Sequence, residues 1–263
     1  MLVDVFKYSS LMHKVLIMNN NIEDKHDYKM TYAKCIFELT QENLLEGLLG
    51  FGLFAEKIVP IFTSESFFDF YKNKNHQSST LCEKTYTPKK FIEYLNIRNI
   101  NIPRILSIPH PIAYAQLCKV ICDKLEDIQK HFKENTENHK HKISKIHIRK
   151  FKNEKYVFRM NYKQDEDYTE PELLVGKKFL VKADISNCFP SIYTHSIPWA
   201  LVGKEKAKKD RDDRTWYNKI DVHTRKIKND ETNGLLIGSH AFNLISEIIL
   251  VRIDNILRVF IYR

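Results

Sequence analysis

The stretch Lys-Phe-Leu-Val-Lys-Ala-Asp-Ile-Ser-Asn, residues 178–187, predicts a short strand that ends in an acid. Phe179, Val181 and Ala183 alternate with Leu180, Lys182 and Asp184, which is the two-residue period of a strand. Burial of an unpaired carboxylate is costly, so Asp184 must lie at an edge, be paired or hold a metal ion. The stretch therefore predicts both a strand and a candidate site residue at its end.

The sequence after this strand contains two further features in a fixed order. An aromatic residue, Phe189, follows closely and leads into the run Pro-Ser-Ile-Tyr-Thr-His-Ser-Ile-Pro-Trp at residues 190–199. Further on, Gly234 and Gly238 bracket a predicted turn, and Ser239 is a natural N-cap for the long apolar helix that follows. The three features together are far more specific than a single acid at the end of a strand.

This ordered set resembles the palm of a reverse transcriptase, with Asp184 in its motif A and the glycine turn as its motif B. The run at residues 193–199 is similar to the abortive-infection (Abi) and other defence-associated reverse transcriptases of bacterial phage resistance, and the resemblance extends from about Leu44 to the C-terminus. It implies an α+β fold, with the fingers and an incomplete palm of a right-hand polymerase and a helical N-terminal region. We expect two domains: an N-terminal helical region at residues 1–86, and the fingers and partial palm at residues 87–263.

The resemblance implies an RNA-directed DNA polymerase that joins dNTPs by two-metal nucleotidyl transfer with Mg²⁺ or Mn²⁺. Asp184 would be the catalytic carboxylate and a metal ligand, and the backbone carbonyl of Ile185 would assist it. Arg104 would lie against the triphosphate, because a guanidinium fork meets two phosphate oxygens. Phe189 would exclude a ribose 2′-hydroxyl, and Gly238 would leave room for the new base pair. A surface arginine and a core phenylalanine remain the alternatives for Arg104 and Phe189.

The Tyr-x-Asp-Asp motif of this family does not occur in the 263 residues. The Asp212-Asp213 pair lacks flanking apolar strands and is rejected as a substitute. We interpret the chain as ending a few residues before the motif, at a strand predicted over 259–263, and expect it to be inactive alone. The alternative from another class is a non-catalytic nucleic-acid-binding or scaffold relative that acts in a defence complex.

The net charge of +9 is concentrated in two regions of the chain. Residues 119–163 hold 13 Lys and Arg against 6 Asp and Glu, or +7, and residues 202–230 hold 10 against 6, or +4. Two basic regions in a nearly neutral chain predict a polyanionic partner, in the first place RNA or DNA. Solubility alone is the alternative explanation of the charge.

Two predicted elements carry these basic regions. Apolar and basic positions alternate in a hairpin predicted over 143–162, and a basic helix is predicted over 203–211. Both could contact a nucleic-acid backbone, but a half-solvated hairpin and a solvated helix face explain the patterns equally well. The candidate nucleic-acid-binding residues are Lys145, Arg149, Lys152, Lys204 and Lys206.

Local patterns predict several further elements. Apolar spacing within residues 1–18 indicates a short helix, and Thr87-Pro88 is typical of a helix start. Residues 103–111 should be extended, and the apolar stripe of residues 113–132 indicates a helix.

The sequence also bears on location and partners. No signal-peptide pattern is visible at the N-terminus, and the apolar stretch 48–62 is too short to span a bilayer. Five cysteines without a CxxC pair predict free thiols in a reducing cytoplasm, with Cys118 and Cys122 in the core. His195 and Trp199 are interpreted as packing residues. An oligomer and an associated non-coding RNA are left open.

Overall fold

The protein is rich in helices and contains three small antiparallel sheets in its described part. The computed structural model describes residues 14–16, 36–37, 39–54, 64–75, 90–99, 102–136, 147–150, 156–159, 175–176, 178–179, 181–183 and 185–261. The helices there are α1 Gln41–Gly50, α2 Glu65–Asn75, α3 Pro111–Asp123, α4 Leu125–Thr136, α5 Cys188–Ser191, α6 Ser196–Val202, α7 Lys204–Lys209, α8 Trp216–Ile227 and α9 His240–Ile261. The strands are β1 Lys14–Leu16, β2 Ile92–Asn99, β3 Ile102–Ile108, β4 His147–Lys150, β5 Tyr156–Arg159 and β6 Val181–Ala183. The predicted α+β class is confirmed, and the right-hand polymerase fold stays a prediction.

Each described sheet is one antiparallel strand pair. β6 pairs with β1, β2 with β3, and β4 with β5. The predicted strand before Asp184 and the predicted basic hairpin are therefore both present, and Arg149 lies opposite Val157 in the register of the hairpin. The extended segment predicted at 103–111 is confirmed as far as Ile108, where β3 ends, whereas Pro111 begins α3.

The core is built by apolar stripes on α3, α4 and α9. Leu117 and Ile121 on α3 and Ile128 and Phe132 on α4 are all fully buried, at the spacings that place residues on one helix face. α9 packs against α4, and α3 packs against α1 and α8. Full burial of each such side chain contributes about 1.5–3 kcal/mol, so these helices hold the rest of the described structure in place. The predicted stripe is confirmed, with an interruption at Lys124 between the two helices.

The N-terminus of α9 is held by groups distant in sequence. The His240 N–H donates to the Gly52 carbonyl at 2.8 Å, and the Ala241 N–H donates to the Tyr114 hydroxyl at 3.3 Å. That hydroxyl donates in turn to the Gly52 carbonyl at 2.9 Å. Ser239 precedes the helix as predicted, but its buried Oγ has no hydrogen-bond partner among the described residues. The unsatisfied N–H groups of the first turn are thus capped by other elements.

A buried polar network joins α4 to α9. The His131 Nε2 donates to the Ile248 carbonyl at 2.9 Å. The Asn135 side-chain oxygen accepts from Arg252 at 3.2 Å and from Asn255 at 2.9 Å. Burial lowers the pKa of His131, so the neutral ring has one N–H, and it is used in this contact. The network fixes the axial position of α9 against α4.

Two local predictions of helix are wrong. Residues 92–99 form β2, although Thr87-Pro88 predicts a helix through Leu95; Thr87 and Pro88 lie outside the described residues. β3 pairs with β2 over nearly its whole length, and this pairing outweighs a capping pattern. Residues 14–16, predicted within a helix, form β1 because they pair with β6. The predicted boundary at residue 87 stays a prediction.

The strand predicted over 259–263 is also wrong where the structure describes it. α9 continues to Ile261, and residues 262 and 263 lie outside the described part. No glycine or proline interrupts the chain from His240 to Ile261, and apolar side chains recur every three or four positions. Once a helix is nucleated, such a sequence extends it at little cost. These residues therefore give no support to a palm strand at this point.

Candidate nucleotide and nucleic-acid site

The chain turns sharply after β6. Asp184 lies outside the described residues, and the description resumes at Ile185. Asn187 has a left-handed backbone, with φ 50° and ψ 46°, a region that asparagine tolerates better than most residues. The Ser191 N–H donates to the Asn187 carbonyl at 2.9 Å and closes the single turn of α5. This turn directs Phe189 into the protein interior.

Phe189 is nearly buried. Its side chain is 8% exposed and belongs to the main apolar cluster, which is the environment expected of the core alternative. Its backbone carbonyl accepts a hydrogen bond from the Leu235 N–H at 2.8 Å. Phe189 is thus attached to the segment that contains the glycine turn, and its role in sugar selection stays a prediction.

The glycine turn requires both of its glycines. Gly234 and Gly238 have φ values of 84° and 144°, which side chains other than glycine rarely adopt. A Cβ on Gly234 would lie 3.1 Å from the Pro190 carbonyl oxygen. A Cβ on Gly238 would lie 2.9 Å from the Ser107 carbonyl oxygen. The predicted turn is confirmed, and the reason for each glycine is a close approach to another backbone segment.

The turn joins the segment around Phe189 to β3. The Gly234 N–H donates to the Ile192 carbonyl at 2.7 Å on one side. On the other side, the Ser107 N–H donates to the Ile237 carbonyl, also at 2.7 Å. The structure therefore brings together backbone segments that are widely separated in the sequence.

Arg104 lies on the strand that contacts the turn. It is half-buried in β3, opposite Asn96, and three positions before Ser107, which is roughly 10 Å along a strand. Arg104 and Ser107 point to opposite faces of β3, because successive side chains alternate. Phe189, Gly238 and the strand of Arg104 thus form one contiguous region, which we call the turn site.

A metal centre can be assessed only for the described residues. Among them, no group of three or more His, Cys, Asp or Glu side chains could hold a metal ion, and Asp184 is outside that set. The carboxylate of Asp184 and the carbonyl of Ile185 are oxygen donors, the type that Mg²⁺ prefers. The pair fits magnesium by donor type, but octahedral coordination needs further ligands.

The predicted nucleic-acid-binding residues are divided between two parts of the chain. Lys145 and Lys152 lie outside the described residues, and Arg149 is described by its backbone alone, in β4. Lys204 and Lys206 lie on α7, which is helical as predicted, and both side chains are exposed. Their contact with nucleic acid stays a prediction.

A histidine–aspartate pair lies beside α7. The His195 Nδ1 and the Asp221 Oδ2 are 2.6 Å apart, and the Asp221 side chain is almost fully buried on α8. Arg225 is 3.6 Å from the same oxygen. From its sequence context His195 is predicted to be a packing residue, and no local pattern connects it with Asp221. The alternation of aromatic residues and histidine at 193–199 beside a basic helix is the only sequence feature that marks this region.

The comparisons with known proteins add no relative. No protein-family model matches the chain, and no curated protein matches it significantly. In the described part of the chain, no helix has the length and apolar character needed to cross a membrane.

Proposed function

We propose that the chain provides the fingers and part of the palm of a reverse transcriptase of the phage-defence type, in a right-hand polymerase fold. The observation that carries this proposal is the turn site. The Phe189 segment and β3 are both hydrogen-bonded to the glycine turn, at 2.8 Å and 2.7 Å. The Phe189 segment and the glycine turn are two of the three features on which the resemblance depends, and β3 contains Arg104. A template-dependent polymerase needs these segments beside one nucleotide.

Each member of the turn site has a role that follows from its chemistry. The turn containing Gly238 presents backbone without side chains, so a base pair can approach it closely. The Arg104 guanidinium binds phosphate oxygens of the incoming dNTP through its two-pronged donor geometry. Phe189 limits the space beside the sugar. The packing against α9 and β3 preorganises the turn before the nucleotide binds.

Asp184 and the carbonyl of Ile185 would hold Mg²⁺ at the end of β6. When bound, the metal ions would supply Lewis-acid stabilisation of the phosphoryl group and activation of the primer hydroxyl. Asp184 orients and partly neutralises this charge, and Arg104 adds positive charge on the triphosphate. RNA and DNA are the proposed template and product, and dNTPs the substrates.

A second candidate function is favoured by a specific observation in the sequence. The 263 residues contain no Tyr-x-Asp-Asp motif, so the second acid pair of the reaction is absent from them. A protein with the turn site but without those acids would bind nucleic acid as a scaffold in a defence complex. This candidate shares the binding surfaces of the first and differs in the chemical step alone.

Incorporation of labelled dNTPs in Mg²⁺ or Mn²⁺ tests the two candidates. The 263 residues alone should incorporate no nucleotide, because Asp184 by itself cannot neutralise two dications about 4 Å apart. A chain that also carries an aromatic-x-Asp-Asp hairpin should synthesise DNA. In that chain Asp184→Ala should abolish synthesis, and Asp69→Ala, an exposed acid on α2, should leave it unchanged.

Two outcomes would contradict the polymerase proposal. Synthesis that survives Asp184→Ala would show that the acid at the end of β6 is not a metal ligand. Nucleic-acid binding without synthesis in a chain that carries both acid sites would favour the scaffold.

A further inference from the structure

Exposed aromatic and basic side chains form a cluster where α6 meets α7. Tyr193 is 39% exposed, and its ring centroid lies 4.8 Å from that of His195 and 5.7 Å from that of Trp199. The Lys204 ammonium lies 5.0 Å from the Trp199 ring centroid. Lys208 is exposed one helical turn further along α7. We call these five residues the aromatic–basic surface.

Tyr193 is exposed and yet firmly held. Its backbone forms a bridge with Asn233, and the next N–H, of Thr194, donates to the Thr232 carbonyl at 2.8 Å. Its ring meets the His195 ring edge-on, with an interplanar angle of 86°. A large aromatic ring that is positioned in this way and remains exposed is available for stacking with a ligand.

His195 is oriented by a buried acid. Its Nδ1 lies 2.6 Å from the Asp221 Oδ2, and the Asp221 side chain is 6% exposed. A carboxylate on one ring nitrogen fixes the tautomer and the ring orientation, and it leaves Nε2 as the nitrogen that a ligand can reach. A ligand N–H or O–H beside Tyr193 could therefore donate a hydrogen bond to the His195 Nε2.

The charge beside these rings is positive. The six residues of α7 contain four lysines and one glutamate. None of the four lysines forms an ion pair with another described residue. The nearest acids after the helix have internal partners, since Asp210 accepts from the Tyr217 hydroxyl and Asp212 accepts from Arg214. The lysines are thus available for a polyanion.

We propose that the aromatic–basic surface binds single-stranded nucleic acid. A base stacks on Tyr193, the His195 Nε2 accepts a hydrogen bond from a base N–H of the same strand, and Lys204 and Lys208 contact successive phosphates. An unpaired strand is required because only an unstacked base can lie on an aromatic ring. The proposal rests on the proposed function for its choice of nucleic acid as the polyanion, and it adds a strand-binding surface separate from the turn site.

Fluorescence anisotropy with labelled dT12 and a twelve-unit abasic strand tests the proposal. The buffer contains neither dNTPs nor divalent metal, so this assay measures strand binding independently of DNA synthesis. Strand binding can therefore be absent in a protein that synthesises DNA, and present in one that does not. Wild type should bind dT12 more tightly than the abasic strand. Tyr193→Leu should weaken dT12 binding about 5- to 150-fold and leave abasic binding unchanged, whereas Tyr193→Phe should retain most of the affinity.

Charge is tested by a matched pair of lysine variants. Lys208→Gln should weaken the binding of dT12 and of the abasic strand equally. It should also reduce the slope of log affinity against log salt concentration by about 0.7, the value for one phosphate contact with a single strand. Lys90→Gln, at an exposed lysine outside both basic regions, should change the binding of neither strand. Circular dichroism melting confirms that each variant is folded.

Three results would overturn the proposal. The first is equal affinity of wild type for dT12 and the abasic strand. The second is wild-type affinity in a folded Tyr193→Leu protein. The third is displacement of dT12 by poly-aspartate at equal charge concentration, which would assign the surface to acidic polypeptides.

Discussion

The helical core and the β2–β3 hairpin use the same apolar residues in opposite ways. Leu117 and Ile121 on α3 are fully buried, whereas Leu95 and Ile97 on β2 are 65% and 73% exposed, and Ile105 on β3 is 52% exposed. Leu95 and Ile105 lie opposite each other, so they share one face of the hairpin. Apolar character alone does not place a residue in the core, because burial depends on whether another element covers that face.

The two regions meet at the glycine turn. On the side of the core, α9 is held by hydrogen bonds to Gly52 and Tyr114. On the side of the hairpin, the Ser107 N–H donates to the Ile237 carbonyl at 2.7 Å. The turn thus lies between a tightly packed helix and a hairpin that is buried at Leu106 and Ser107 and exposed at Leu95 and Ile97.

The largest expected effect separates the two regions by their stability. Leu117→Ala should lower the free energy of unfolding by about 2–5 kcal/mol, because it leaves a cavity in a fully buried position. Ile97→Ala, at a position that is 73% exposed, should change it by less than about 0.5 kcal/mol. Urea unfolding measures both values. Equal destabilisation by the two changes would show that the exposed face of the hairpin is covered in solution.

Acidification should destabilise the core through its buried histidines. Burial lowers the pKa of His240 and of His223 to about 4 each, from 6.5. Between about pH 4 and pH 6.5 the unfolded chain therefore binds more protons than the folded protein. The contribution of the neutral rings to stability is fully present above about pH 6.5 and falls as the pH drops toward 4. Between pH 7 and pH 5 the loss is roughly 2 kcal/mol for each histidine.

Urea unfolding at pH 7, 6 and 5 measures this loss. His223→Gln should reduce the pH dependence, because it removes one of the two buried rings. Stability that is independent of pH over this range would mean that both rings bind protons equally in the folded and unfolded states, so that burial does not lower their pKa values.

Sequence reasoning succeeded where a pattern is local. The stripe from Leu117 to Phe132, the hairpin at Arg149 and the turn at Gly238 all depend on spacing or on glycine geometry, and all are present. It failed at residues 92–99, where pairing with β3 outweighs the helix signal at Thr87.

Other features of the site depend on contacts that no local pattern contains. The bonds from Tyr114 to Gly52 and from Ala241 to Tyr114 join residues 62 and 127 positions apart. The His195–Asp221 pair spans 26 positions between two helices. Such contacts are created by the packing of the helices, so they become visible only when the fold is known.

The central claim, that the turn site binds a nucleotide, is tested most directly by titration of a fluorescent dNTP with Mg²⁺ into the 263-residue chain. Arg104→Lys should weaken binding about tenfold, or roughly 1.4 kcal/mol, because the ammonium lacks the two-pronged donor geometry. The matched control, Arg214→Lys, changes an exposed arginine that pairs with Asp212 and should have no effect. Unchanged melting temperatures exclude misfolding. Binding that is absent in wild type, or equal in Arg104→Lys and wild type, would contradict the assignment of the turn site.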